Sequence, residues 1–153
     1  MKKSITILTV LLFASLFTFD CFSQSFYTGG IGITQSNGGR TRIFSDNLTT
    51  RQIERISILV GVSTSAVFDY NEDQDVLIPA ATVPIPTLSD FEVTSTIDNS
   101  YPSVPQPPNV QASFNIYGWN GGAYLLVKTT VKNNETSAIN AVIGLEAIPR
   151  ING

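Results

Sequence analysis

The sequence predicts a mainly β fold: two sheets packed as a β-sandwich, with a short helical hairpin inserted near residues 50–70. Three observations carry that expectation. Asn120-Gly121 separates two runs of alternating apolar and polar residues, the strongest short-range sign of a hairpin. Clusters of turn residues at 36–39, 101–108 and 133–136 punctuate the chain. With 42% hydrophobic residues in a chain of 153, there is apolar surface enough for one core.

The N-terminus has the pattern of an export signal. Lys2 and Lys3 precede an apolar run from Ser4 to Phe19, and Cys21-Phe22-Ser23 puts small residues just before a cleavage point at Gln24. The expected division is a signal peptide over 1–23 and a single β-rich domain over 24–153. Within that domain, 24–88 holds the helical hairpin and 89–153 forms a strand meander. The apolar run is shorter than the roughly 20 residues a membrane anchor needs, and it ends at Asp20. Phe19-Asp20 also stands before Cys21, where a lipoprotein signal places a small residue. No membrane span is expected after cleavage. The short Lys-Lys start points to a bacterial protein, secreted or held in the cell envelope (periplasm or surface).

Export acts as a filter on function. Beyond residue 23 there remain seven basic and eleven acidic residues, a net charge of −4, with no cysteine and no histidine. A mildly acidic surface repels nucleic acid and anionic membrane. Nucleophilic triads and zinc-assisted hydrolysis lack their residues. A two-carboxylate glycosidase built on Glu72 and Glu92 has no supporting spacing. We expect no enzyme.

Taken in order, Ile31-Gly32-Ile33-Thr34 and Arg42-Ile43-Phe44 flank Ser36-Asn37-Gly38-Gly39, a hairpin whose loop is either two or three residues. Gly29, Gly30 and Gly32 do not make a phosphate loop, because no Lys-Ser/Thr follows them. Residues 49–68 admit a strand, with Ile56, Ile58, Val60 and Val62 alternating, or two short helices. We favour the helices. Thr49 and Gln52 form a capping box, Ile53, Ile56, Leu59 and Val60 make one apolar stripe, Gly61 can end the first helix, and Ser63 can cap the second. The spacing resembles a DNA-binding helix-turn-helix, but the would-be recognition segment 64–70 has no Lys or Arg. A helical hairpin packed on the sheet is the expectation.

Asp69, Asn71, Asp73 and Asp75 follow, with oxygen side chains at the 1, 3, 5 and 7 spacing of a calcium loop. Gln74 stands where that loop needs Gly, and Ala80 where it needs a bidentate Glu. A solvated acidic turn is the plainer reading, and a weak extracellular Ca²⁺ site is the alternative. No other cofactor is expected.

Phe91 to Ile97 is the next expected strand, and the Pro-rich 101–108 can be neither central strand nor helix. In the hairpin around Asn120-Gly121, a two-residue loop sets Ala112 opposite Thr129, Phe114 opposite Val127 and Ile116 opposite Leu125. That face is apolar. The other face carries Tyr117 opposite Tyr124, with Trp119 beside the turn. A last strand is expected over 138–148.

The run 127–149, with a strand ending Val131-Lys132-Asn133-Asn134, a polar turn and a strand containing Val142, Gly144 and Glu146, resembles the last two strands of immunoglobulin-like domains in exported proteins. The resemblance implies an immunoglobulin-like β-sandwich and no activity. The functional expectation is a non-catalytic structural or protein-interaction subunit, either self-assembling or binding a protein partner by β-strand addition. The alternative is a carbohydrate-binding module, its glycan stacked on Tyr117, Trp119 and Tyr124 and assisted by calcium.

Overall fold

The computed structural model describes residues 23–69, 75–99 and 108–150, and every regular element among them is a strand. The strands are β1 (Ser23–Tyr27), β2 (Gly32–Ser36), β3 (Thr41–Ser45), β4 (Thr50–Ser63), β5 (Ala66–Phe68), β6 (Asp75–Thr82), β7 (Phe91–Asp98), β8 (Val110–Gly118), β9 (Leu125–Asn133) and β10 (Val142–Pro149). They form two antiparallel sheets. The first has the order β1-β2-β3-β4-β10, with β5 also paired to β4; the second has the order β6-β7-β8-β9. The chain thus makes one meander, crosses to a second, and returns with β10 beside β4.

The expected helical hairpin near residues 50–70 is corrected: the described part, 50–69, contains no helix. Ile53, Ile56, Ile58, Val60 and Val62 are β-branched and lose side-chain freedom against a helical turn. As a strand, the segment gains partners on both edges. Thr41 pairs with Ile56 on one side and Ala147 pairs with Ile56 on the other. The capping cues serve turns instead. The Thr49 amide and hydroxyl both donate to the Asp46 carbonyl, at 3.2 and 2.5 Å, closing the turn between β3 and β4. Ser63 Oγ accepts from the Ser65 amide at 3.3 Å in the turn to β5.

The first hairpin has a three-residue loop. The Ser36 amide donates to the Arg40 carbonyl, leaving 37–39 between them, with Gly39 at φ 84°. A left-handed glycine in third place is the usual solution for loops of that length.

Between the two sheets lies a core in two clusters, each drawn from both sheets. Phe26, Ile33 and Ile43 meet Val93 and Ile116 in one. Ile58, Val60 and Phe68 meet Ile97, Val110, Ala112 and Phe114 in the other. On the outer face of the first sheet, Glu54 is clasped by Arg42 (3.1 Å) and Arg51, and Glu146 by Arg55 (2.5 Å).

The hairpin of β8 and β9 keeps the expected faces but not the expected pairs. Ala112 opposes Val131, Phe114 opposes Thr129 and Ile116 opposes Val127. Every partner has moved two places along β9, which preserves the side to which each residue points. The loop is therefore six residues, 119–124, because it is tied to the opposite sheet. Gly121 N donates to the Thr28 carbonyl (2.5 Å), and the Thr28 hydroxyl donates to the Gly122 carbonyl.

β9 and β10 carry the immunoglobulin-like sequence pattern, yet they lie in different sheets. In the immunoglobulin arrangement the last two strands are neighbours in one sheet.

Candidate functional site

Two surfaces have the geometry to bind something, and both border β9. The first is the margin where β9 and β10 end their respective sheets. Ile143 pairs with Val60 and Leu145 with Ile58. Directly opposed residues of an antiparallel pair share a face, so both side chains point to the core side of the first sheet. Nevertheless Ile143 is 60% and Leu145 66% exposed, while Val60 and Ile58 are buried. Among the described residues, no strand of the second sheet covers β10. On its other face Val142, 77% exposed, borders an open hollow of about 760 Å³ with Leu59, Gly61, Val67 and Gly144. The absence of side chains at Gly61 and Gly144 makes that depression.

Leu125, Val127 and Val131 of β9 are partly buried and pack against the core clusters. The outward row of β9 is Leu126, Lys128, Thr130 and Lys132, all exposed. Among the described residues β9 pairs with β8 alone, and no strand lies on its other edge.

The second surface is the 119–124 loop. Trp119 and Tyr124 stack with ring centroids 5.4 Å apart and planes at 29°. Tyr124 is 62% exposed and Trp119 is partly so. The loop is held at three places: by Thr28, as above, by the Asn120 amide donating to Asp90 Oδ2 (2.8 Å), and by the Asp90 amide donating to the Gly118 carbonyl (3.0 Å). Tyr117 does not join the aromatic pair. It opposes Leu126 and is buried. The three-ring platform read from the sequence is thus two rings on a braced loop.

Of the candidate calcium ligands, Asn71 and Asp73 lie outside the described residues, Asp69 follows β5, and the backbone of Asp75 begins β6. Among the described residues, no three His, Cys, Asp or Glu side chains converge on a point that could hold a metal ion.

A smaller polar cleft of about 370 Å³ lies between Phe44, Leu48, Thr50, Arg51 and Arg150. Its arginines are turned toward Glu54: Arg51 is ion-paired to it, and Arg150 stands 4.0 Å away. The sheet margin escaped sequence reasoning because 142–148 is apolar at both odd and even positions. Its pattern does not say which side is covered.

Comparisons with family models, curated proteins and solved structures returned no match to this chain.

Proposed function

We propose that the chain is a non-catalytic exported protein, working outside the cell or in the cell envelope as a structural or protein-interaction subunit. The observation that supports this most is the exposure of Ile143 and Leu145 on the core-facing side of β10. Large apolar side chains aimed at a core and left in water mark a surface that a partner completes. Export rests on the 1–23 pattern, whose residues up to 22 lie outside the described structure. The immunoglobulin-like subtype belongs to the proposal too. It rests on the 127–149 pattern, and the separation of β9 from β10 weighs against it.

A photo-reactive amino acid at Leu145, in protein produced by its own cells, tests the reading. Adducts of discrete mass from position 145, and none from exposed Asn47 in the β3–β4 turn, are the expected result. Uncrosslinked monomer from both positions overturns it.

The carbohydrate reading is favoured by one observation: Tyr124 presents an exposed ring, backed by Trp119, on a braced loop. A ring held in place loses little freedom when a sugar stacks on it. Trp119 is the only tryptophan, so its emission reports the event directly. Emission that stays flat across a glycan panel, with and without Ca²⁺, overturns this second reading.

A further inference from the structure

We propose that the free edge of β9 is a receptor site for one strand of another polypeptide, in which apolar residues alternate with acidic ones. The inference rests on the interaction reading above and names the site and the chemistry of its occupant.

The two sheets differ in width. Among the described residues the first sheet is five strands wide along β1-β2-β3-β4-β10, and the second is four strands wide. On the β1–β6 side the two sheets are closed together. Thr82 Oγ1 donates to Gln24 Oε1 at 3.1 Å, and the Ala80 amide donates to Asn37 Oδ1 at 2.9 Å. The missing fifth rank of the second sheet therefore falls opposite β10. Its absence explains why Ile143 and Leu145 are exposed although they point to the core side.

A strand added beside β9 would fill that rank. It would take up the unpaired backbone groups of the edge, and its inward side chains would cover Ile143 and Leu145. Adding a strand to the outer edge of β10 would not do this, because it would extend the first sheet and leave the same two residues bare. Edge β9 is thus the better site, although β10 supplies half of the apolar surface.

Side-chain chemistry then selects the occupant. Positions facing the core meet Leu125, Val127 and Val131, with Thr129 between them, and are suited to apolar residues. Positions on the outer face lie beside Lys128 and Lys132, both exposed, and are suited to Asp or Glu. The same lysines oppose pairing of β9 with β9 of a second copy, which would set two lysine rows in one sheet. Ile139, in the 134–141 connection, packs on the same core cluster as Val131. The strand that fits opposite 125–132 is about eight residues, or roughly 26 Å, long.

The experiment attaches a probe strand to the C-terminus of the full chain through a Gly-Ser linker, which makes binding intramolecular and raises the local concentration. One probe alternates valine and glutamate, a second replaces each valine by serine, and a third replaces each glutamate by lysine. Melting temperature and amide exchange are read for each. The valine-glutamate fusion is expected to melt several degrees above the other two and to slow exchange across 125–131. Leu145→Asp, a change at an exposed position, should abolish the difference. Equal melting of all three fusions, or protection confined to 142–149, overturns the proposal. If the unfused chain dimerises and Leu145→Asp disperses it, while the fusions do not differ, a second copy is the occupant. This proposal then fails, but the interaction reading stands. A monomer with equal fusions and no crosslink at 145 defeats both.

Discussion

Gly118 of β8 lies directly beneath the ring of Phe26 of β1, and the two close the core across the sheets. A Cβ at 118 would overlap Cε2 of that ring and stand 2.9 Å from Cγ2 of Thr28. Phe26 is held from its other neighbour as well, stacked on Phe91 with centroids 5.4 Å apart and planes at 9°. Phe91 is the strand partner of Gly118. The slot is therefore walled on every side. Gly118→Ala is expected to cost about 1–3 kcal/mol, as overpacking a filled core does, and urea denaturation measures it. A midpoint equal to the wild type would mean that Phe26 swings aside freely.

Gln35 is the largest buried polar side chain among the described residues, and it joins the two sheets. Its Oε1 accepts from the Thr41 hydroxyl at 2.5 Å, and its Nε2 donates to the Ser95 hydroxyl of β7 at 2.9 Å. Gln35→Leu preserves bulk but strands two buried hydroxyls, at a cost of about 1–3 kcal/mol. Adding Thr41→Val and Ser95→Ala to Gln35→Leu should recover most of the loss, because no polar group is then left unpaired. A triple variant no more stable than Gln35→Leu would refute the account.

How much of this was legible follows from where the information sits. The inward face of β8 could be read from Val110, Ala112, Phe114 and Ile116, because alternation is local. The pairing offset could not. It is set by hydrogen bonds from Gly121 and to Gly122 that involve Thr28, some ninety residues away in sequence. β4 was misread because its capping cues are local, whereas its two strand partners, β3 and β10, are not. For the same reason Tyr117 looked available. Its strand position places it opposite Leu126, and its burial comes from tertiary packing that no dipeptide signals. The exposure of β10 was the least legible feature, since it depends on a rank that the second sheet lacks.

The carboxylates of the outer face give stability a pH dependence. The Glu54 carboxyl is held below its usual pKa of 4.5, chiefly by its hydrogen bond from Arg51, with Arg42 assisting and burial opposing. Glu146 is lowered mainly by its hydrogen bond from Arg55, with Ser57 assisting. A pKa lower in the folded than in the unfolded state stabilises the fold above the unfolded value and stops doing so as pH falls through the folded one. The urea midpoint should therefore decline below about pH 4.5. Glu54→Gln should lower the midpoint at pH 7 and differ less from the wild type in acid. Both residues are partly exposed, so added salt should shrink the effect. A gap between variant and wild type that is constant with pH would exclude Glu54 as a source.

The β3–β4 turn shows how one residue outside a strand can determine one inside it. Asp46, Asn47 and Leu48 have φ of 50°, 54° and 68°, three left-handed residues in succession. Leucine in that region costs of order 1–2 kcal/mol, so something must hold it there. The turn carries Leu48 onto the backbone of Gly32 in β2, where a Cβ would overlap Cδ2 of Leu48 and lie 3.2 Å from its Cγ. Gly32 is thus matched to Leu48. Gly32→Ala should destabilise the fold by displacing that side chain. Leu48→Gly should cost less than an ordinary buried leucine, since it relieves the left-handed strain as it loses the contact. Together the two changes should be less harmful than their sum, with a coupling of about 0.5–3 kcal/mol in a double-mutant cycle. Strict additivity would mean that Leu48 and Gly32 are neighbours without dependence, and that the strain in the turn is held by the Thr49–Asp46 bonds alone.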